Sequence, residues 1–206
     1  VRNSITAERS VLLTGSNASG KSTFIKTVAL NAILAQTLHT VLAENYQASW
    51  FCIASSMALR DDILSQESYY IVEIRSLKRI LDLTRLSELP VLCFIDEVLR
   101  GTNTVERIAA SSRILQAIAE QGGLCFAATH DIELTYLLEK EYDNYHFEEQ
   151  VEDDKVTFDY CLHEGRACTR NAIRLLKMLG YDEKIVDDAN ERVALFLKSG
   201  NWVSSH

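Results

Sequence analysis

The sequence predicts an α/β domain in which a mostly parallel central sheet is flanked by helices. Three short apolar runs, Val11–Thr14, Val91–Ile95 and Leu124–Ala128, have the continuous hydrophobicity of strands that are covered on both faces. Stretches with helical periodicity lie between these runs. Alternation of buried strands with helices is typical of a parallel sheet, because each return to the same edge needs a crossover connection.

Three helices are predicted from apolar residues that recur at helical spacing. They cover residues 21–38, 68–88 and 105–120, and Pro90 closes the second of these segments. A further strand is expected at Trp50–Ile53, where apolar residues follow a polar loop.

The pattern of the chain changes after residue 142. Apolar and polar residues alternate in Val156–Leu162, which can pair with Tyr145–Val151 across an acidic turn at Asp153–Asp154. This alternation predicts an antiparallel hairpin at the edge of the sheet. Two helices, Thr169–Leu179 and Asp182–Leu197, are expected to follow as a C-terminal pair.

The composition indicates one folded domain in a reducing compartment. Its 206 residues are 47% hydrophobic, which suffices for one compact domain with a core. We expect the core of this domain over residues 1–165 and a helical extension of the same domain over residues 166–206. The five cysteines are scattered and form no Cys-x-x-Cys pair. Neither a charged-then-apolar leader nor a membrane-spanning apolar run occurs, so we expect a cytoplasmic segment without membrane contact.

The net charge of −8 argues against one class of function for this segment. A surface that grips a phosphate backbone needs clustered Lys and Arg side chains. Here 29 acidic residues outnumber 21 basic ones, and the basic residues are spread along the chain. If the whole protein handles DNA, we expect the main gripping surface to lie elsewhere.

Residues 15–22 fit the G-x-x-x-x-G-K-S/T pattern of a phosphate-binding loop without a mismatch. Glycines let the backbone curl so that N–H groups point at phosphate oxygens, and the following helix adds its dipole. Lys21 would reach the β- and γ-phosphates of ATP, and the Ser22 hydroxyl would bind Mg²⁺. The alternative is a structural glycine turn. The predicted nucleotide-binding residues are Gly15, Ser16, Asn17, Ala18, Ser19, Gly20, Lys21, Ser22 and Thr23.

Two acidic residues, Asp96 and Glu97, follow the buried strand Val91–Ile95. The carboxyl ends of buried parallel strands face the ligand crevice, so Asp96 would hold Mg²⁺ there, mostly through its water shell. Glu97 could polarise the water that attacks the γ-phosphate, which favours hydrolysis. The alternative for the pair is a capped strand end.

His130 follows the strand Leu124–Ala128 after one further residue. A histidine at the mouth of a strand can donate a hydrogen bond to a γ-phosphate, although a lone histidine is more often structural. Its place after two other motifs in order favours the functional role. The predicted catalytic residues are therefore Lys21, Glu97 and His130, and the predicted metal ligands are Ser22 and Asp96.

Four stretches resemble the ATPase domain of the MutS family, whose members are ABC-type ATPases best known from DNA mismatch repair. The resemblance covers the chain from about Val11 to Ala189. The chain lacks the Leu-Ser-Gly-Gly-Gln segment that is typical of transporter ATPases. The stretches are Leu13–Thr23 (P-loop), Asp61-Asp62 with Ser68–Ile74 (signature segment), Asp96–Thr104 (Walker B strand and loop) and Ala128–His130 (switch histidine).

The resemblance implies an ABC-type P-loop NTPase fold and an ATP hydrolase that uses Mg²⁺. In this family two ATPase domains face each other with nucleotide at the shared interface, which implies a homodimer through the ATPase face. Ser68 would then contact the γ-phosphate held by the partner subunit, and residues 100–104 would cross the interface. The structural alternative for Ser68 is a helix N-cap. The terminal helices resemble a dimerisation element, and DNA would contact other parts of the full-length protein.

The chain departs from the family pattern in three places. Leu99 stands where glycine is usual, Glu106-Arg107 stand where Asp-Gly is usual, and Ser16 stands where proline is common. These departures indicate a diverged branch.

The leading hypothesis is an ATP-driven switch that closes and opens a dimer during the handling of mismatched or structured DNA. The alternatives are a nucleotide-dependent interaction module with little turnover and another ABC-type ATPase.

Overall fold

The computed structural model describes residues 1–16, 18–57, 69–99, 102–152, 155–167 and 172–202, which form strands and helices in alternation. The strands are Ser10–Thr14 (β1), Cys52–Ser56 (β2), Val91–Asp96 (β3), Leu124–Ala128 (β4), Tyr142–Glu152 (β5) and Lys155–Glu164 (β6). The helices are Lys21–Leu38 (α1), Tyr69–Leu86 (α2), Thr104–Glu120 (α3), Leu134–Leu137 (α4), Ala172–Met178 (α5) and Glu183–Ser199 (α6).

The six strands form one sheet in the order β2-β3-β4-β1-β5-β6. Parallel pairing joins β2 to β3, β3 to β4, β4 to β1 and β1 to β5. The last two strands form the antiparallel hairpin, with β6 at the edge. The predicted α/β fold, with a mostly parallel sheet, an edge hairpin and C-terminal helices, is confirmed.

Both faces of the sheet are buried beneath helices. Leu12 of β1 packs in one core cluster, and its neighbours Val11 and Leu13 pack in the other. This alternation explains the continuous apolar runs, since every residue of a doubly covered strand is inside. The buried helical residues of the two clusters are Leu77, Ile80, Leu115, Ile118 and Leu134 from α2, α3 and α4 on one face, and Ile25, Ala29 and Ala32 from α1 on the other.

The strand predicted at Trp50–Ile53 was placed too early. The strand begins at Cys52, which pairs with Val91 of β3. The backbone of Phe51 is instead held by the Gln36 side chain, which accepts from its N–H at 2.7 Å and donates to its carbonyl at 3.1 Å. Trp50, 58% exposed, lies outside the core.

The hairpin and the short α4 also differ from the expectation. β5 begins at Tyr142, three residues before the predicted start, because it continues along β1 from the pair Ser10 and Tyr142. α4 was not predicted, since four residues are too few for a periodic pattern. The turn at Asp153–Asp154 and the predicted helix start at 169–171 lie outside the described residues.

By their internal contacts the residues group into two compact units. The first comprises Val1–Glu148 and Asp159–Ala167 and contains the helices and strands up to β4. The second comprises Glu149–Phe158 and Cys168–His206, with α5 packed on α6. No helix in the described part of the chain combines the length and apolarity needed to span a bilayer.

Two of the cysteines lie side by side in the core. Cys93 of β3 and Cys125 of β4 are register partners, and both are fully buried. The neighbouring Cys125 thiol and the burial together raise the pKa of Cys93 well above its ordinary value. A thiol of this kind is poorly reactive.

We expect Leu115→Ala to lower the free energy of unfolding by about 2–5 kcal/mol, because Leu115 is fully buried between α3 and the sheet. The matched control is Leu30→Ala on α1, where the same side chain is 58% exposed. Its change should stay within about 0.5 kcal/mol. Urea unfolding followed by circular dichroism measures both, and equal losses would contradict the assignment of the core.

Candidate functional site

The loop after β1 turns sharply at Gly15, which has a φ of +139°. A Cβ atom at this position would lie 2.6 Å from the main-chain oxygen of Phe147 on the adjacent β5. No side chain fits in that space without a shift of the backbone. The first glycine of the predicted phosphate-binding loop is therefore required by the close approach of two parallel strands.

Lys21, the first residue of α1, is only 5% exposed and folds back over the same loop. Its Nζ donates to the carbonyl oxygens of Gly15 and Ser16, each at 2.7 Å. A buried ammonium needs close polar partners, and the loop carbonyls meet part of that need. The result is a positive charge fixed inside the curve of the loop.

The N-terminus of α1 opens onto this loop without a side-chain cap. Gly20 occupies the N-cap position with a φ of +113°, and no acidic residue lies in the first turn. The hydroxyl oxygens of Ser16 and Ser19 are buried, and no described residue bonds to them. An anion could bind here, because several hydrogen-bond donors lie together. These are the amides of the first turn of α1, the hydroxyls of Ser16 and Ser19, and the Lys21 ammonium.

Asp96 ends β3 at the same edge of the sheet as the phosphate-binding loop. It is the register partner of Ala128 on β4, and Ala128 is in turn the partner of Leu13 on β1. The carboxyl ends of β1 and β3 are thus two strand spacings apart, or about 10 Å. The Oδ1 atom of Asp96 is buried and has no hydrogen-bond partner among the described residues.

Glu97 follows with a φ of +62°, which turns the chain out of the strand. Its side chain is 14% exposed, and its Oε1 lies 2.9 Å from Nε2 of His130, which is 38% exposed. The two residues predicted separately as water activator and switch histidine are therefore directly bonded. This contact orients the carboxylate and fixes one ring nitrogen of the histidine.

Two main-chain bonds at the end of β4 connect these parts. The N–H of Glu97 donates to the Ala128 carbonyl at 3.0 Å, and the N–H of Thr129 donates to the Leu13 carbonyl at 2.9 Å. The end of β4 thereby holds Leu13, two residues before the phosphate-binding loop, on one side and the Asp96–Glu97 turn after β3 on the other. His130 leaves the sheet directly after these bonds.

Sequence reasoning quoted Glu73 only as part of the stretch Ser68–Ile74 and missed its burial and its contact with the chain that follows the Asp96–Glu97 turn. Glu73 on α2 is 1% exposed, and its Oε1 accepts the N–H of Leu99 at 2.5 Å. Leu99 has a φ of +57° and is itself 2% exposed in the core cluster. A residue in this conformation persists only where its surroundings hold it, here through the bond to α2 and the packing of its side chain. The spacing of Glu73 from the other motifs gave no signal of this contact.

A cavity of about 1660 Å³ extends from the phosphate-binding loop within the first unit. Lys21, Ser22 and Glu97 line it, whereas Asp96 is set back from its wall. Residues 1–7 and 42–48 also line it, although nothing in their sequence predicted that role. The remaining predicted residues Asn17 and Ser68, together with Arg100 and Gly101, lie outside the described residues.

The Asn3 side chain joins the N-terminal part of this wall to β6. Asn3 donates from Nδ2 to the Tyr160 carbonyl at 2.9 Å and accepts from the Leu162 N–H at 2.8 Å. It therefore pairs with the edge strand β6 in the manner of a neighbouring strand. Tyr160 lies in the left-handed region, with a φ of +55°, and its ring comes within 3.4 Å of where a Gly20 side chain would begin.

The family model for MutS domain V matches residues 11–196 of the chain. The chain belongs to the MutS domain V family. It is 34% identical over 184 residues to the DNA mismatch repair protein MutS of Natronomonas pharaonis, a match that covers 87% of this chain and 21% of that protein. It is also 31% identical over 185 residues to the DNA mismatch repair protein MutS of Thermus thermophilus, over 89% of this chain and 22% of that protein.

A third relative is named MutS 2. The DNA mismatch repair protein MutS 2 of Haloarcula marismortui is 30% identical over 187 residues, covering 89% of this chain and 19% of that protein. The chain thus spans about a fifth of the length of these MutS relatives. The resemblance stated from the sequence motifs is confirmed, and it concerns one domain of proteins several times longer.

We expect Glu73→Leu to destabilise the fold by about 1–3 kcal/mol more than Glu73→Gln, because only glutamine keeps an oxygen that can accept the Leu99 N–H. Both substitutions remove the same charge, so loss of charge cannot explain a difference between them. Urea denaturation of the two variants measures it. Equal stability of the two proteins would show that the contact with Leu99 contributes nothing.

Proposed function

We propose that this chain binds ATP with Mg²⁺ and hydrolyses it as the ATPase domain of a MutS-like protein. The observation that carries the proposal is the convergence at one sheet edge of an anion-binding loop, with Lys21 buried inside it, and a carboxylate paired with a histidine. The first group suits a polyphosphate, and the second suits activation of water beside it.

Phosphate binding is assigned to the loop at residues 15–20 with Lys21, Ser22 and Thr23. Ser16 and Ser19 offer buried hydroxyls, and the amides at the start of α1 are not capped by a side chain. The Lys21 ammonium, now bonded to loop carbonyls, can extend to the β- and γ-phosphates.

The residues present also fit a hydrated divalent cation. Ser22 at the start of α1 and Asp96 at the end of β3 lie at the same edge, and the Asp96 Oδ1 is buried without a protein partner among the described residues. Ser22 would bind the ion directly and Asp96 mainly through water. When bound, Mg²⁺ would neutralise charge on the β- and γ-phosphate oxygens.

Glu97 is proposed as the base that polarises the attacking water, and His130 as the group that senses the γ-phosphate. Their 2.9 Å contact places limits on both roles. To donate to a phosphate, His130 must either use Nδ1–H of the charged ring or release Nε2 from Glu97. Release would free the carboxylate for water at the same moment.

The wider activity is proposed from the relatives, which are named as DNA mismatch repair proteins. We propose a homodimer through the ATPase face, with Ser68 and residues 100–104 reaching the partner subunit's nucleotide. The helical extension over residues 166–206 would add to the dimer. Within α6, Ile185, Leu195 and Leu197 are each more than two-fifths exposed, and such apolar side chains suit a helix-to-helix contact.

DNA is assigned to parts of the full-length protein beyond this acidic domain, in agreement with its net charge of −8. Mismatched or structured DNA is the proposed substrate of the assembly, and ATP-driven closing and opening of the dimer would move the DNA-binding parts. A cytoplasmic location is proposed because the described cysteines are all free thiols.

We expect Lys21→Ala to abolish nucleotide binding and Glu97→Gln to retain it while hydrolysis slows by about 100-fold or more. The reason is that Lys21 supplies charge to the phosphates, whereas Glu97 acts on water. Binding is measured by titration with a fluorescent ATP analogue, and turnover by phosphate release over several cycles.

The control for this pair is Lys26→Ala, an exposed lysine on the same helix, which should change neither quantity. Binding without turnover in the wild-type protein would favour the nucleotide-dependent interaction module instead. A Glu97→Gln protein that hydrolyses ATP at the normal rate would remove the proposed base.

A further inference from the structure

We propose that Arg107 is a positioning residue for His130, acting through an ion pair with Asp131. The inference rests on the proposed ATPase function and deepens it by naming the contact that holds the switch histidine in place. It also identifies a route from the first turn of α3 to the reacting groups.

The ion pair is bidentate, with two hydrogen bonds between the guanidinium and the carboxylate. Nε of Arg107 donates to Oδ2 of Asp131 at 2.8 Å, and Nη2 donates to Oδ1 at 2.6 Å. The side chains are 22% and 11% exposed, so the pair is partly shielded from water and salt. The Asp131 carboxylate raises the pKa of Arg107, which keeps the guanidinium charged under all ordinary conditions.

Asp131 in turn fixes the loop that carries His130. Its N–H donates to Oγ1 of Thr129 at 3.0 Å, and its carbonyl accepts the N–H of Leu134 at 3.2 Å, at the start of α4. Thr129 is tied to β1 through its own N–H. His130 thus lies between one residue anchored by the sheet and one anchored by α3.

Hydrogen bonds also hold the first turn of α3, which carries Arg107. The N–H of Arg107 donates to the Asn103 carbonyl at 2.8 Å, and the Asn103 side chain caps the helix by accepting the Val105 N–H at 2.9 Å. Arg107 therefore projects from a capped first turn. The helix begins at Thr104, the last of the residues proposed to cross the dimer interface, so we expect a movement there to be passed to Asp131.

The link needs the arginine side chain at position 107. The MutS pattern has Asp-Gly where Glu106-Arg107 stand, and a glycine has no side chain with which to reach Asp131. Glu133 also attracts the Arg107 guanidinium and could replace Asp131 as its partner if Asp131 were changed. The test is therefore made at Arg107.

The kinetic test compares Arg107→Gln, Arg107→Lys and the wild-type protein. We expect Arg107→Gln to lower kcat between about 10- and 100-fold while KM for ATP stays within about twofold, because the histidine is misplaced but the phosphate-binding loop is not. Arg107→Lys should recover part of kcat, since it keeps the charge but loses the two-point contact.

The matched control is Arg9→Gln. Arg9 precedes β1 and pairs with Asp143 at 2.8 Å, at the opposite end of the strands from the site. Like the Arg107 contact it joins an arginine to an aspartate, but through one hydrogen bond to the carboxylate and at a more exposed position. Because it lies away from the site, kcat should be unchanged when it is lost.

Hydrogen exchange supplies a readout that does not depend on turnover. The amides of Asp131, Leu134 and Thr135 are bonded within the loop, and their exchange should be at least about tenfold faster in Arg107→Gln but not in Arg9→Gln. Faster exchange confined to this loop, with a kcat loss at constant KM, supports the proposal.

Three results would overturn it. These are unchanged loop exchange, unchanged kcat despite a loosened loop, and faster exchange throughout the domain with kcat and KM altered together, which marks a general loss of stability. If the wild-type protein hydrolyses no ATP, the proposed function fails by itself, and the exchange experiment alone decides whether Arg107 holds His130.

Discussion

The arrangement of the site depends on the main-chain bonds at the carboxyl end of β4. In one bond the Thr129 N–H donates to the Leu13 carbonyl of β1, and in the other the Glu97 N–H, after β3, donates to the Ala128 carbonyl. β4 therefore sets the distance between the phosphate-binding loop and the Asp96–Glu97 turn. Because β4 is buried on both faces by the two core clusters, it cannot shift without a loss of packing. The core of the sheet therefore determines the relative positions of the elements that carry Lys21, Asp96, Glu97 and His130.

The charges of the site support the proposed binding of a divalent cation together with the nucleotide. Asp96 and Glu97 lie near the proposed position of several phosphate charges, against one buried ammonium, Lys21, in a domain with a net charge of −8. Like charges at this range repel unless a cation separates them. Glu97 is already engaged by His130, whereas the Oδ1 atom of Asp96 has no protein partner among the described residues. Asp96 is therefore the acid best placed to accept the water shell of the ion.

The sequence was sufficient for the fold and for the location of the motifs, because buried parallel strands and crossover helices leave strong apolar patterns and the phosphate-binding loop has a fixed spacing. It was insufficient for contacts made across the fold. The bond from Glu73 to Leu99, the fork of Arg107 on Asp131 and the Asn3 contacts with β6 join residues 24 or more positions apart, and no local pattern encodes them. The start of β2 was misplaced for a similar reason, since Gln36 holds Phe51 outside the strand.

The most direct test of the central claim is a crystal structure of the protein with Mg²⁺ and a non-hydrolysable ATP analogue. We expect the β- and γ-phosphates to lie against the amides of residues 18–22 and the Lys21 ammonium, with the ion between Ser22 and the water shell of Asp96 and with Glu97 beside the γ-phosphate. Nucleotide bound at another edge of the sheet, or phosphates in the loop with the Asp96 and Glu97 side chains directed away from them, would contradict the account.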